Sequence, residues 1–441
     1  MAMKILAVLD YLPSTVGGAE VSAYLVLKGL VSKGHHVYIL ADKSSFSKSY
    51  CELLIRKDRF LNIFSCRVIC PKIRPLGAIS DILSLFLSFI ATLRHAKIVR
   101  PNIIFTHKAA GLGASVAAKI LGIPCVYVVR GYQHACFNYE KLRNRGNKIE
   151  RCTLQECDFA HLVRCIKLDG GSNVILRILQ VPYSFYAYFV LKLRRYAISK
   201  ADDLVAISNI VKKSLEKIYP EKHIVKIYNP VDIIEAHTIK VDHNPFNKYF
   251  TYIGRLSRSK GVDILLKAFQ YLLDAYPECK LAIIGSGPEL NRLTFLARKL
   301  GIEKSTIFFG PMYFREVLKF LKERGFVTVV PSLWDEAFGR VVIESMAVGI
   351  PVIGSRVGGI PELISNEENG LLVNPGDERS LFNAMKTLIE DKALYERIAF
   401  NALHSAKEYS VQKIAAQYET LLDELIGRKM YERVEAKATY A

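Results

Sequence analysis

Two acidic residues stand eight positions apart in this chain, Glu336 and Glu344. Glu336 belongs to a predicted loop, and Glu344 lies in the helix predicted to follow it. A short apolar run at Ile350–Ile353 and the pair Gly358-Gly359 come next. The order loop, helix, strand and glycine turn is typical of an open parallel sheet that binds a ligand at its strand ends. Two carboxylates at such a place could hydrogen-bond the hydroxyl groups of a sugar or a ribose.

The two acids are predicted to have different roles. Glu344 suits a ribose diol, because one carboxylate can accept two hydroxyl hydrogen bonds. Glu336, with the backbone amides of Phe338 and Gly339 at the helix N-terminus, would meet the sugar. The alternatives are a favourable helix N-terminal charge for Glu336 and an ordinary surface acid for Glu344.

Two cations follow the strand that ends at Gly254, namely Arg255 and Lys260. They would lie at a strand exit beside a helix start, where they could neutralise a diphosphate leaving group without a metal. Two exposed surface charges are the alternative for this pair.

Glycine turns end two further strands. Gly17 and Gly18 follow the first strand and open a helix, so that backbone amides could approach a phosphate. Gly285 and Gly287 form the next turn and could line a nucleotide. Each of these could also be a plain tight turn.

The surrounding chain alternates β-rich runs with helical stretches. This alternation predicts parallel sheets with right-handed crossovers, and the length of 441 residues predicts two domains. The segment Asn229–Lys248 loses periodicity and is the predicted linker. The predicted strands are KILAVLD (4–10), HVYIL (36–40), NIIFTH (102–107), CVYVV (125–129), DLVAIS (203–208), IVKIY (224–228), YFTYIG (249–254), KLAIIG (280–285), TIFFG (306–310), FVTVVP (326–331) and PVIGS (351–355).

Charge is concentrated in the first half of the chain. Residues 1–235 hold 34 Lys and Arg against 17 Asp and Glu, whereas the rest of the chain is nearly balanced within the total of +19. A basic face suits anionic lipid headgroups, phosphorylated lipids or nucleic acid, although a generally basic surface is also consistent.

Cysteine use indicates a reducing compartment. The first apolar run is too short for a signal peptide, so we expect the cytosol and no disulfides. Four cysteines concentrate in one segment, but none form a CxxC pair, so buried thiols are favoured over zinc. They are Cys136, Cys152, Cys157 and Cys165.

No apolar stretch is long enough to predict a membrane span. The segment Ile82–Leu93 is apolar but short. The segment Val174–Leu193 is rich in aromatic residues, is interrupted by Arg177 and Pro182, and is followed by basic residues. Such a segment could lie in a membrane interface or simply pack within the first domain.

At these motifs the chain resembles the GT-B retaining glycosyltransferases, specifically the large family 4 that uses nucleotide sugars. The matching elements are GGAE (17–20), AISNIVKKSL (206–215), IYNPVD (227–232), GRLSRSKG (254–261), GSGPE (285–289), the segment 331–363 and NGLLVNPGD (369–377). The resemblance implies an α/β fold of two Rossmann-like domains that face each other across a cleft. The implied boundaries are 1–235 for an acceptor domain, 236–410 for a donor domain, and 411–441 for a helix and tail that cross back to the first domain.

The resemblance also implies roles for individual residues. Arg255 and Lys260 would bind the diphosphate, Glu344 the ribose and Glu336 the donor sugar, while Gly17 and Gly18 approach the phosphates. His107 matches a histidine at the end of a first-domain strand. The chain departs from the family pattern at Arg130, where a histidine that reaches the transferred sugar is frequent. Arg130 could contact an acceptor phosphate or a donor carboxylate, or form a structural salt bridge.

The implied activity is that of a hexosyltransferase (EC 2.4) that acts without a metal or resident cofactor and retains the anomeric configuration. The expected partners are a nucleotide-sugar donor, a lipid-linked or surface-glycan acceptor and an anionic membrane, with the protein peripheral at the inner face of the cell membrane. A sugar-nucleotide epimerase or a phosphorylase is the alternative enzyme, and a basic nucleic-acid-binding protein is the alternative class. The sequence leaves open the donor base and sugar, the acceptor and the oligomeric state.

Overall fold

A computed structural model describes most of the chain. The described residues are 2–11, 18–42, 61–66, 77–136, 142–145, 148–151, 174–238 and 249–439. Contacts between residues divide the chain into two compact units. The first contains Met1–Tyr228 together with Gln412–Ala441, and the second contains Asn229–Val411.

The first unit is built on a parallel sheet of seven strands. The strands of this sheet are β1 (Lys4–Val8), β2 (His36–Asp42), β3 (Leu61–Cys66), β4 (Ile103–His107), β5 (Cys125–Val129), β8 (Asp203–Ala206) and β9 (His223–Lys226). Two further strands, β6 (Leu142–Arg145) and β7 (Lys148–Arg151), form a separate antiparallel hairpin. The helices of the first unit are α1 (Gly18–Ser32), α2 (Gly77–Val99), α3 (Lys108–Leu121), α4 (Val174–Ser199), α5 (Asn209–Ile218) and the last helix of the chain, α13 (Val411–Thr439).

The second unit is built on a parallel sheet of six strands. Its strands are β10 (Tyr249–Ile253), β11 (Lys280–Ile284), β12 (Thr306–Gly310), β13 (Gly325–Val330), β14 (Val352–Ser355) and β15 (Leu371–Val373). Its helices are α6 (Ile233–Thr238), α7 (Val262–Ala275), α8 (Leu290–Lys299), α9 (Phe314–Arg324), α10 (Arg340–Met346), α11 (Glu378–Glu390) and α12 (Lys392–Ala406).

The strand order places a switch point in each sheet. The first sheet has the order β3-β2-β1-β4-β5-β8-β9, and the second has the order β12-β11-β10-β13-β14-β15. In both sheets the order changes direction between two central strands, β1 and β4 in the first unit and β10 and β13 in the second. Open parallel sheets bind ligands at the carboxyl ends of the strands at such a switch point.

The eleven predicted strands are all present, which confirms the α/β class with two Rossmann-like units. Edge strands β3 and β15 were not predicted, because one is a mixed polar run and the other has only three residues. The predicted linker is partly wrong, since Ile233–Thr238 forms a helix, while residues 239–248 lie outside the described part.

Buried strands explain the continuous apolar runs. All five residues of β4 and of β5 are buried, as expected for central strands covered by helices on both faces. The helix α13 packs on the first unit, where the ring of Tyr418 lies 5.7 Å from that of Phe105. Glu419 on the same helix forms salt bridges with Lys33 at 2.7 Å and His35 at 3.0 Å.

Candidate functional site

Two loops meet at the switch point of the second unit. One follows β10 and contains Arg255 and Lys260, and the other follows β13 and contains Glu336. They are joined by a hydrogen bond of 2.8 Å from the Leu333 amide to the Ser259 carbonyl. The residues predicted from separate motifs therefore belong to adjoining loops.

Lys260 and Glu336 form an ion pair between these loops, with both side chains largely buried. The Ser332 hydroxyl donates a 2.7 Å hydrogen bond to the same carboxylate oxygen, Oε1. Burial opposes ionisation of Glu336, but Lys260 and Ser332 outweigh it and hold the pKa of Glu336 below its usual value. The ammonium of Lys260 also lies 5.0 Å from the ring centre of Trp334. Glu336 is thus an anion with a fixed position.

A glycine turn holds the backbone of Glu336. The Gly359 amide donates a 2.7 Å hydrogen bond to the Glu336 carbonyl. At Gly358, whose φ is +58°, an added Cβ atom would lie only 2.2 Å from that carbonyl oxygen. A side chain at Gly358 would therefore push the turn away from the acid, which explains why the Gly-Gly pair follows β14.

Glu344 is also buried, but its partner is a residue that the sequence interpretation did not include. Arg340 donates hydrogen bonds from Nε at 2.9 Å and from Nη2 at 2.6 Å, both to Oε1 of Glu344. Both side chains are about nine-tenths buried. The alternative interpretation of Glu344 as a surface acid is therefore wrong.

Arg255 differs from its neighbour Lys260. Its side chain is exposed, and it forms no ion pair with any residue in the described part of the chain. Its carbonyl accepts a 2.8 Å hydrogen bond from the Tyr252 hydroxyl, which fixes the loop just after β10. Its guanidinium is thus available to an anionic ligand.

The glycines of the second unit allow two loops to pack closely. At Gly285, with φ +141°, a Cβ atom would lie 1.8 Å from the Gly254 carbonyl oxygen. The Leu256 carbonyl accepts a hydrogen bond from the Glu289 amide, and the backbone of Gly287 lies against Leu256. The predicted nucleotide-lining turns therefore pack directly on the loop that carries Arg255.

Two predicted donor-binding residues, Phe338 and Gly339, directly precede α10. Gly339, with φ +99°, immediately precedes the helix. The Phe338 side chain is buried, and its ring packs edge-on at 6.3 Å against Tyr409. Phe338 could therefore contribute its amide to a ligand, while its ring belongs to the interior.

At the switch point of the first unit, α3 begins directly after β4 without an intervening loop. His107 is the last residue of β4 and is completely buried, and neither ring nitrogen has a hydrogen-bond partner within the described residues. Asp10, at the end of β1, accepts a 2.6 Å hydrogen bond from the Ala110 amide in the first turn of α3. Burial, followed by the charges of Arg130 and Lys108, lowers the pKa of His107 well below its usual value.

Lys108 connects the beginnings of two helices. Its ammonium forms an ion pair with the buried Glu20 in the first turn of α1. Burial opposes ionisation of Glu20, but Lys108 holds the pKa of that carboxyl below its ordinary value. Burial also raises the pKa of Asp10 to about 6, against the opposing charge of Lys108. Asp10 and Glu20 are therefore both close enough to Lys108 to interact with its charge.

Two of the remaining predicted residues of the first unit, Gly18 and Arg130, are described by the structure. Gly18 is the exposed first residue of α1, and Gly17 lies outside the described residues. Arg130 follows β5 and is half-buried, close enough to His107 to depress its pKa. Lys108 and Arg130 thus place two cations near a neutral imidazole.

The described part of the chain contains candidate metal ligands and cysteines. There, no group of three or more His, Cys, Asp or Glu side chains is arranged to hold a metal ion. Cys125 is a buried free thiol. Cys152, Cys157 and Cys165, considered above for zinc, lie outside the described residues.

Four residues of these sites were missed, namely Asp10, Glu20, Lys108 and Arg340. Arg340 could have been found, because it precedes Glu344 by four positions, the spacing of neighbours on one helix face. Asp10 had a weaker signal as a polar residue at the end of a predicted buried strand. The pairing of Glu20 with Lys108 spans 88 positions and had no local signal.

Comparisons with known proteins identify the family of the chain. Residues 16–235 match the profile of Glycosyltransferase Family 4, and residues 234–405 match the profile of Glycosyl transferases group 1. The chain is 29% identical over 238 residues to N-acetyl-alpha-D-glucosaminyl L-malate synthase of Bacillus anthracis. That alignment covers 52% of this chain and 61% of the relative.

Two solved structures have a similar fold. Anabaena HepE, in complex with UDP and glucose, is 20% identical with a TM-score of 0.67, and the alignment covers 96% of this chain and 99% of HepE. Sucrose-phosphate synthase of Thermosynechococcus elongatus is 18% identical with a TM-score of 0.69, and the alignment covers 96% and 100% of the two chains. Taken with the two profiles, this shared fold shows that the chain belongs to the group 1 glycosyltransferases of the GT-B fold.

Proposed function

We propose that this protein is a retaining hexosyltransferase that moves a sugar from a nucleotide-sugar donor to a lipid-linked or surface-glycan acceptor. The observation that carries the proposal is the buried ion pair of Lys260 with Glu336, beside an exposed Arg255, at the switch point of the second unit. A nucleotide diphosphate needs cations, and a sugar needs a fixed hydrogen-bond acceptor.

In this proposal the second unit binds the donor. Arg255 and Lys260 neutralise the diphosphate, Glu344 accepts from the ribose hydroxyls, and Glu336 accepts from the sugar. HepE has been solved with UDP, which supports a nucleotide-sugar donor. Arg255 and Lys260 take the leaving-group charge in our proposal, so the reaction needs no metal and no resident cofactor.

The first unit is proposed to bind the acceptor. Asp10 and Glu20 can accept from a hydroxyl group, and Lys108 and Arg130 can bind an anionic substituent such as a phosphate. His107 is neutral at physiological pH because its pKa is depressed, so it can serve as a hydrogen-bond donor or acceptor without adding charge.

Retention of configuration follows from attack on the face that the leaving group departs from. The bond between the anomeric carbon and the phosphate oxygen breaks, and its electron pair leaves with the phosphate. The acceptor oxygen bonds to the same face of the anomeric carbon, and its proton passes to the departing phosphate. The protein contributes positioning and positive charge, which together are worth on the order of several kcal/mol.

A thermal-shift screen with UDP-, GDP-, ADP- and dTDP-sugars tests the donor proposal. Stabilisation by one donor identifies base and sugar together, because a ligand that binds only the folded state raises its stability. The protein is then incubated with the nucleotide sugar that stabilises it, first without an acceptor and then with glycan acceptors. Turnover of donor without acceptor would indicate an epimerase instead, and dependence on phosphate would indicate a phosphorylase.

We further propose that the first unit docks on an anionic membrane through α2 and α4. On α2, Phe86, Ile90 and Ile98 are exposed, while the buried residues are small or polar apart from Val99: Ser84, Ser88, Ala91, Thr92, Ala96 and Val99. Three large apolar side chains of this helix therefore face outward, where a water-soluble protein usually places polar residues. An apolar stripe that faces outward needs an apolar partner.

The helix α4 has a matching character. It continues through Pro182, so the interruption suggested by the sequence does not end the helix. Phe185 and Phe189 are exposed one turn apart, and Ile82 of α2 packs against the buried side of α4. The two apolar stripes therefore belong to neighbouring helices.

Charge favours lipid over a neutral apolar partner. Exposed cations on the two helices include Arg94, Lys97 and Lys192, whereas the two helix sequences together contain one acid, Asp81. Aromatic side chains with flanking cations suit an anionic interface. The segment Ile82–Val99 is also long and apolar enough to cross a membrane, and 33% of it is buried in the protein. We propose peripheral binding at the inner face of the cell membrane.

Sedimentation with vesicles tests this surface. The protein should bind phosphatidylcholine vesicles that contain phosphatidylglycerol, and high salt should weaken binding. The variant Phe185→Ser/Phe189→Ser should bind less, whereas Phe295→Ser/Phe400→Ser, which removes two exposed rings of the second unit, should not. Equal binding by both variants would contradict the proposed surface, and extraction only by detergent would indicate a spanning helix.

A further inference from the structure

The ion pair between Arg340 and Glu344 has an asymmetry that bears on ligand binding. Two N–H groups of Arg340 donate to the same oxygen, Oε1 of Glu344. The other oxygen, Oε2, accepts no hydrogen bond from any residue within the described ranges. One half of the carboxylate is therefore occupied and the other half remains available.

Arg340 is itself held from two sides. Its Nη1 group donates a 3.2 Å hydrogen bond to the Pro230 carbonyl, and its guanidinium carbon lies 5.8 Å from the ring centre of Phe314. The next residue, Val231, donates a 2.8 Å hydrogen bond from its amide to the Tyr409 carbonyl. The guanidinium is thus anchored to backbone that is fixed in turn.

A buried carboxylate with one partner could rotate about its terminal torsion, because that torsion has broad preferences. Two bonds from a planar guanidinium that end on Oε1 oppose this rotation. The orientation of Oε2 is therefore set by Arg340, not by Glu344 alone.

We infer that Arg340 is a positioning residue that orients Oε2 of Glu344 toward the ribose diol of the donor. This inference rests on the proposed donor role of Glu344. It adds that Arg340 determines the selectivity of the site for ribose over 2′-deoxyribose. It predicts that discrimination between ribose and 2′-deoxyribose depends on Arg340, which does not itself touch the donor.

The test compares nucleotides that differ by one hydroxyl. UDP, GDP and ADP and their 2′-deoxy forms are titrated calorimetrically against the unaltered protein, Arg340→Met, Arg340→Lys and Glu344→Gln. The unaltered protein should bind one ribonucleotide at least about 10-fold more tightly than its 2′-deoxy form. This ratio should fall to about 1–2 in Arg340→Met and Glu344→Gln and to an intermediate value in Arg340→Lys, whose single ammonium cannot reproduce the two bonds.

A control separates this role from general charge or folding effects. Arg292→Met removes an arginine that pairs with Asp263 and Glu289 at the surface of the same unit, and it should leave the ratio unchanged. In transfer assays Arg340→Met should raise the KM for the donor, with kcat within about twofold of the unaltered value, because binding and not chemistry is affected.

The outcomes distinguish the inference from the proposal beneath it. A folded Arg340→Met protein that retains the full ratio would overturn the role of Arg340. If Arg340→Met does not fold, Arg340→Lys takes its place. An unchanged ratio of ribonucleotide to 2′-deoxynucleotide affinity in Arg340→Lys would equally overturn the role of Arg340. If the unaltered protein binds none of the three diphosphates and is not stabilised by a dTDP-sugar, the donor proposal itself fails. Stabilisation by a dTDP-sugar alone would keep the donor proposal and overturn the ribose role of Glu344 and Arg340.

Discussion

The Lys260 ammonium and the Glu336 carboxylate form a largely buried ion pair although 76 positions separate them in the chain. The pair joins the loops after two neighbouring strands, so it holds these loops together. Each member also has a second function in our proposal, since Lys260 faces a diphosphate and Glu336 a sugar.

Removal of Lys260 should lower both stability and transfer. Lys260→Ala leaves Glu336 buried without its partner, which we expect to cost about 3–5 kcal/mol of unfolding free energy. The rate of transfer should fall by about 10²-fold or more, because a preorganised cation is lost at the leaving group. Urea unfolding and steady-state kinetics measure the two effects.

The double variant Lys260→Met/Glu336→Gln separates the effect on stability from the effect on transfer. Removing both charges should restore most of the stability but none of the activity. Restored activity in this variant, or full activity in Glu336→Ala, would contradict the catalytic assignment.

Arg255 should contribute to binding without contributing to stability. Because its side chain is exposed, Arg255→Ala should change the unfolding free energy by less than about 0.5 kcal/mol. Nucleotide diphosphate binding should weaken about 10-fold or more, since one charge-assisted contact is lost. Arg298→Ala, an exposed arginine on α8 of the same unit, is the matched control and should bind as before. Equal behaviour of the two variants in calorimetry would remove Arg255 from the site.

Substitution of Gly358 should destabilise the protein because of the contact with Glu336, and not only because of the positive φ angle. Gly358→Ala brings a Cβ atom to 2.2 Å from the Glu336 carbonyl oxygen. Gly349 also has positive φ, at +75°, but an added Cβ atom would meet nothing within 4 Å. We expect Gly349→Ala to cost about 1–2 kcal/mol and Gly358→Ala clearly more. Donor affinity should fall only in Gly358→Ala, and equal losses would argue against the contact.

The depressed pKa of His107 predicts a pH dependence of stability. In the unfolded chain the imidazole takes up a proton below about pH 6.5, whereas in the folded protein it stays neutral. Its contribution is therefore complete above pH 6.5 and is lost as the pH falls, by up to about 2 kcal/mol at pH 5. The difference in unfolding free energy between the unaltered protein and His107→Gln should shrink between pH 8 and pH 5. A difference independent of pH would show that His107 titrates normally.

Much of the fold followed from local patterns. The strands of the two sheets were predicted because central parallel strands form continuous apolar runs. Edge strands such as Leu371–Val373 escaped prediction because they have too few residues to show a pattern. Lys260 and Glu336 were assigned to one donor site by the resemblance to the family, and the adjacency of β10 and β13 brings their loops together.

The sequence by itself determined the alternation of strands and helices, the family and the types of residue available at each strand end, because these depend on short contiguous segments. The tertiary structure decided the partners. Asp10 binds the Ala110 amide across 100 positions, and Lys108 pairs with Glu20 across 88. Whether Arg340 would turn toward Glu344 was also settled only by packing against Pro230 and Phe314. The physical reason is that a charged group selects its partner by distance and burial, which depend on how separate strand ends pack together.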